Sequence, residues 1–92
     1  METDDRDLIR RCLAREERAY RELVRTYQSA VTNLAWRITG SAEDAAEVAQ
    51  ETFIRVLRSL SSYDPDRPFR TWLFKIASNL SLDAVRRRKR RA

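Results

Sequence analysis

Between residues 16 and 39 the apolar side chains Ala19, Tyr20, Leu23, Val24, Tyr27, Val31, Leu34, Ala35 and Ile38 recur at i, i+3, i+4 and i+7, with Arg, Glu and Gln on the opposite side. Such a stripe can be buried only as a long amphipathic helix packed against other helices. No run in the chain alternates with period two, so there is no sheet for it to cover. One Gly and two Pro in 92 residues leave few places for helices to stop. The expected fold is all-α, a compact bundle of about four helices in one domain, with a short first helix and three long ones. A chain of this size buries roughly 60 to 65% of its unfolded surface, which allows a true core but not a large cleft.

The few breakers divide the chain. Gly40 can supply the left-handed residue that ends the 16–39 helix, and Ser41 can cap the next one, with Asp44 in place of the usual Glu at the third position. From residue 42 to about residue 60, Ala45, Val48, Ala49, Thr52, Phe53, Val56 and Leu60 form the core side. Opposite them lie Glu47, Gln50, Glu51, Ile54 and Arg58, flanked by Ala46 and Leu57. An Ile framed by charges has the composition of a small interface centre and rim; the alternative is a solvated helix surface. Residues 61–68 form the one real loop: Asp64 precedes a proline and is pushed to extended backbone, while Pro68 suits the first turn of the last helix. At the other end, Leu8, Ile9, Cys12 and Leu13 mark a short helix ending near residue 15, after an acidic, frayed stretch over residues 1–6. Trp36 lies off the centre of its stripe, so it either covers a neighbouring helix, the preferred reading, or is partly exposed.

The last segment, residues 69–91, has two unlike sides. Phe69, Trp72, Leu73, Ile76, Ala77, Leu80 and Ala84 make a core stripe, whereas Thr71, Lys75, Ser78, Asn79, Leu82 and Arg86 gather on the other side with Phe74 exposed beside them. This polar strip runs into Arg-Arg-Arg-Lys-Arg-Arg at residues 86–91. The formal charge of +5 comes from 19 basic and 14 acidic residues; removing the six cations of the tail leaves 13 against 14, so the body is at −1. The charge is therefore local. Hydroxyls, an amide, an aromatic ring and cations on one strip suit a polyanion with bases to stack. Asn79 can donate and accept at once, and Tyr63 in the loop offers a pocket rim for an unstacked base. The plainer alternatives are a solvated helix end and a simple connector.

Other functions are excluded by what the chain lacks. There is no His and only one Cys, so neither a zinc site, an internal disulfide nor a His-based catalytic system can be built. Cys12, on an apolar stripe without a base, reads as a small buried hydrophobe. No catalytic residue, metal or cofactor is expected, and the chain is not read as an enzyme. The absence of a signal peptide or 18-residue apolar run points to a cytoplasmic protein with no membrane insertion.

Taken together, Asp44-Ala-Ala-Glu-Val-Ala-Gln-Glu-Thr-Phe-Ile-Arg, the Tyr63-Asp-Pro loop, Phe69-x-x-Trp-Leu-x-x-Ile-Ala-x-Asn and Asp83-x-x-Arg-Arg resemble region 2 of the bacterial extracytoplasmic-function (group 4) RNA polymerase sigma factors. The likeness extends over nearly the whole chain. The family usually reads Asp-Ala-Glu-Asp before its Gln-Glu pair, so one acid is lost here, at Ala46. The resemblance implies that Glu47, Gln50, Glu51, Ile54, Leu57 and Arg58 dock on the clamp helices of the polymerase beta-prime subunit. It further implies that Ser62, Tyr63 and Asp64 line a pocket for a base flipped from the non-template strand of the promoter −10 element. Lys75, Ser78 and Asn79 would form the helix side of that pocket, and Arg86, Arg87 and Arg88 would lie towards the upstream backbone. An anti-sigma factor is implied as a further partner. The family normally carries a second domain for the −35 element after a linker, so residues 1–92 are expected to be region 2 alone, with residues 86–92 starting that linker. Two rival classes stand beside this reading. A helix-turn-helix duplex reader needs a turn of about 3 to 4 residues, against the eight of residues 61–68; a helical protein-interaction module would use the tail on an acidic protein.

Overall fold

The computed structural model describes residues 5–91. Four α-helices follow one another, α1 (Asp5–Leu13), α2 (Glu17–Thr39), α3 (Ala42–Ser59) and α4 (Phe69–Arg91), with a 3-10 turn at Leu60–Ser62 before the loop. Among the described residues there is no strand. Of the residues expected to fray, 1–4 lie outside the described residues, whereas Asp5 and Arg6 form the first turn of α1. The tail is helical through Arg91, and Ala92 lies outside the described residues.

Local chemistry explains where the helices stop. The α1 carbonyls of Arg11 and Cys12 accept from the N–H groups of Glu16 (3.1 Å) and Arg15 (2.9 Å), a Schellman turn whose left-handed residue is Arg15, φ 64°. A side chain there costs about 1 kcal/mol. Because α1 ends so early, Leu8, Ile9 and Cys12 reach α2, but Leu13, expected on the same stripe, stays 50% exposed. At the end of α2, Gly40 takes φ 67° and donates its N–H to the Trp36 carbonyl at 2.8 Å. The Ser41 hydroxyl accepts from the Asp44 N–H at 3.2 Å and opens α3 as expected. The reciprocal half of the capping box does not form: the Ser41 N–H turns to the Thr39 hydroxyl, and the Asp44 carboxylate turns to Arg88.

Helices α2, α3 and α4 pack against one another, and α1 lies on α2. The main core joins Leu8, Ile9 and Cys12 to Leu23, Val31, Val56, Leu60 and Leu73. At one end it closes on four rings: Phe69 sits 5.6 Å from Tyr27, 5.5 Å from Tyr63 and 5.8 Å from Trp72, and Tyr63 lies 5.2 Å from Trp72, centroid to centroid. A smaller cluster of Ala35, Ala45, Val48 and Ala84, with Leu80 against it, lets the three long helices approach closely near the other end of α4. Three buried hydroxyls are satisfied within their own helices: Thr39, Thr52 and Ser81 donate to the carbonyls of Ala35 (2.8 Å), Val48 (2.7 Å) and Ala77 (2.8 Å). Cys12 is fully buried, and desolvation raises its thiol pKa, as suits an inert packing residue. Trp36 takes the second of its two readings: it is 49% exposed. No helix among the described residues is long and apolar enough to cross a membrane.

Candidate nucleic-acid and protein interfaces

The seven core positions predicted from spacing are all buried, six on α3 and Leu60 in the turn that follows it, which turns the opposite side of α3 outwards. Glu47, Gln50, Glu51, Ile54, Leu57 and Arg58 are exposed together, with Ile54 and Leu57 each 38% accessible. One Ile on a surface means little, but an Ile and a Leu one turn apart make an apolar pair, with Ala46 exposed two turns earlier beyond Gln50. Glu47, Glu51 and Arg58 lie along one side of it, and Gln50 beside it. The pairing of Arg55 with Glu51 at 3.9 Å is exposed, so it holds neither group strongly.

The outer side of α4 presents Thr71, Lys75, Asn79, Leu82 and Arg86 to solvent, with Ser78 partly buried at its edge. Phe74 is not the free aromatic expected there. It packs on the main core, and the Arg70 guanidinium covers its ring at 5.0 Å while also lying 5.9 Å from the Tyr27 ring. The cation thereby occupies the face that a base would need.

The loop is tied to itself. The Ser62 hydroxyl donates to the Ser59 carbonyl at 2.6 Å, and Asp64 accepts from the Asp66 N–H at 2.9 Å, an Asx turn that sets up the bend at Pro65. Tyr63 folds inwards onto Phe69 and Trp72, and its hydroxyl donates to the Arg67 carbonyl. Burial first, then the charges of Asp5 and Asp64, raises its phenol pKa. Ser62 and Asp64 therefore stand exposed on a pre-shaped loop, whereas Tyr63 is a supporting wall. Beside this loop a depression of 670 Å³ is lined by Arg6, Tyr27, Tyr63, Pro65, Arg67 and Arg70 among others. Arg67 and Arg70 were not singled out by the sequence reading; the signal was two arginines bracketing Pro68-Phe69 at the start of an aromatic helix.

The tail is less uniform than its sequence. Arg88 reaches across to Asp44 at 2.8 Å and to the Thr39 carbonyl at 2.7 Å, joining α4 to the start of α3 and the end of α2. Arg87, Arg88 and Arg91 line a groove of 330 Å³ with Asp44, Glu47 and Glu51. Arg86 pairs with Asp83 of its own helix at 3.1 Å, in solvent.

The chain is similar to known proteins in sequence and in fold. The sigma-70 region 2 family matches residues 23–91. The chain is 51% identical over 69 residues to the ECF RNA polymerase sigma factor SigE of Mycolicibacterium smegmatis, covering 75% of this chain and 26% of that protein. An engineered region 2 of sigmaE, solved by NMR in complex with GTAAAA, superposes with a TM-score of 0.86 at 37% identity over 98% of this chain and 93% of that one. CnrH, solved in complex with the cytosolic domain of CnrY, superposes with a TM-score of 0.80 at 34% identity over 88% of this chain and 53% of that one. The chain spans less than half the length of the first curated relatives it matches. With three-quarters of its length inside the family's match and the same helices in the same order, this chain belongs to the sigma-70 region 2 family, in its extracytoplasmic-function branch.

Proposed function

We propose that the chain serves as the core-binding and −10-reading domain of a transcription initiation factor acting in the cytoplasm. The outward strip of Gln50, Ile54, Leu57 and Arg58, with Glu47 and Glu51 on its flank, docks on the beta-prime clamp helices of RNA polymerase. Ser62 and Asp64 on the loop, with Tyr63 as its wall, and Lys75, Ser78 and Asn79 on α4 receive the non-template strand and hold one base out of the stack. The observation that carries this reading is the exposed amide-and-cation strip of α4 beside a pre-shaped loop, in a chain whose fold follows, over 98% of its length, a region 2 bound to GTAAAA.

Physically, the domain need do no bond chemistry. Binding the single-stranded state shifts the duplex equilibrium by its differential affinity, about 1 to 3 kcal/mol for each stacked base. Nucleotide addition belongs to the polymerase. The CnrH neighbour is bound by the cytosolic domain of CnrY, and an anti-sigma partner of that kind would compete for the same outward faces.

Fluorescence anisotropy with a labelled single strand carrying GTAAAA, set against its duplex and a scrambled strand, tests the reading. Selective single-strand binding that falls about tenfold in Asn79→Ala supports a base reader. Equal, purely salt-sensitive binding to every oligonucleotide would reduce α4 to an electrostatic patch. For the other face, Ile54→Lys should abolish co-elution with core polymerase, and retention of the complex would place docking elsewhere.

A further inference from the structure

Six consecutive cations on a helix cannot point one way. Because α4 remains helical to Arg91, that residue falls four after Arg87 and three after Arg88, and the three turn to the side facing α3. There they meet Asp44, Glu47 and Glu51 across the 330 Å³ groove. Arg88 is fixed in place by its bonds to Asp44 and to the Thr39 carbonyl. Asp44, Glu47 and Glu51 thus share the groove with three arginines and offset part of their charge, Asp44 by direct pairing with Arg88, while Glu51 also pairs weakly with Arg55. Arg86, Lys89 and Arg90 lie on the other side of the helix; all six cations are exposed, so direction and not burial separates the two sets. At 100° per residue they continue the line of Lys75 and Asn79, extending the strip from Thr71 over about 28 Å. The Asp83 pair of Arg86 is a solvent-exposed i, i+3 contact, weak enough to yield to a phosphate.

We infer that the outer cations Arg86, Lys89 and Arg90 are the tail's phosphate contacts, while Arg87, Arg88 and Arg91 face the acids of α3, where Arg88 fixes the tail. This rests on the single-strand reading proposed above and names the residues that serve it. It puts Lys89 and Arg90 in the places that the sequence resemblance gives to Arg87 and Arg88. Each phosphate neutralised on a single strand contributes about 0.7 to the slope of log affinity against log salt. Three contacts give the tail about 2, where six would give about 4.

Two variants of equal charge separate the cases: Lys89→Ala/Arg90→Ala and Arg87→Ala/Arg91→Ala, each removing two cations and sparing Arg88. Affinity for the labelled GTAAAA strand is measured by anisotropy from low to moderate salt, with circular dichroism confirming that both variants keep their helices. The outer pair should lower the slope by about 1.4 and weaken binding severalfold. The inner pair should leave the slope within about 0.3 of the parent. Equal loss of slope in both variants, with GTAAAA still preferred over the scrambled strand, would overturn the division of the tail and leave the base-reading function standing. A parent chain with no affinity for any single strand would overturn that function and this inference together.

Discussion

The two ends of α4 are held by different physics. At the start of the helix Phe69 is enclosed by Tyr27, Tyr63 and Trp72, so apolar area is what fixes it. Near the other end Ala84 packs on Ala35, Ala45 and Val48, which remove little area each, and the directional bonds of Arg88 to Asp44 and the Thr39 carbonyl complete the attachment. The first kind of contact is strong, tolerant of salt and broad in geometry; the second is weaker, salt-sensitive and specific in register. Each suits what it carries. The ring end braces the loop that the proposed function gives to a base, and the alanine end holds the helix from which the tail continues.

Breaking the ring end should have the largest effect. Phe69→Ala removes the ring that all three others touch and should cost about 3 to 5 kcal/mol in urea unfolding, enough to leave a domain of this size largely unfolded. The loss should be nearly the same at low and high sodium chloride. Arg88→Ala should cost about 1 to 2 kcal/mol, from a half-exposed ion pair and a freed carbonyl. Here the penalty should shrink as salt rises, and a double-mutant cycle with Asp44→Asn should show coupling; a salt-independent Arg88 penalty would make the two ends alike after all.

Alkaline titration sharpens the same contrast. Burial first, then the hydrogen bond donated to Asp5, raises the Tyr27 phenol pKa well above its ordinary value of 10. A raised value means that the unfolded chain loses its proton first, so this contribution is intact below pH 10 and is lost as pH climbs beyond it. Thermal melts should fall above that pH, and Tyr27→Phe should flatten the decline. Smallest are the two left-handed residues outside both clusters. A Cβ on Gly40 would meet nothing within 4 Å, so Gly40→Ala should cost only the backbone penalty, about 1 kcal/mol, and Arg15→Gly should recover a similar amount less the entropy of glycine. Chemical denaturation of both variants checks the pair.

Much of this architecture was legible from spacing. The six inward positions of α3, the Gly40 stop and the Ser41 cap follow from rules that involve neighbours within a turn or two. What escaped were contacts made between helices. Asp44 reads as the reciprocal partner of the Ser41 cap until Arg88, distant in sequence, offers it a full charge. Six adjacent cations look equivalent in the sequence, and only the crossing of α4 over the start of α3 sorts them. Tyr63 and Phe74 were read as surface aromatics because each stands beside polar neighbours, yet packing area and the Arg70 guanidinium draw them onto the core. The site was legible as a set of faces, and less so as the aim of particular side chains.

The enclosure of Cys12 gives the molecule an internal clock. Its sulfur is wholly covered by the packing of α1 on the rest of the bundle, and it is the chain's sole thiol. Alkylating reagents in solution can therefore reach it only when α1 lifts away, so the rate of thiol modification reports how often the short helix opens, separately from global unfolding. A partner that grips α1 would slow that rate, and one that seizes only the far end of α4 would leave it unchanged.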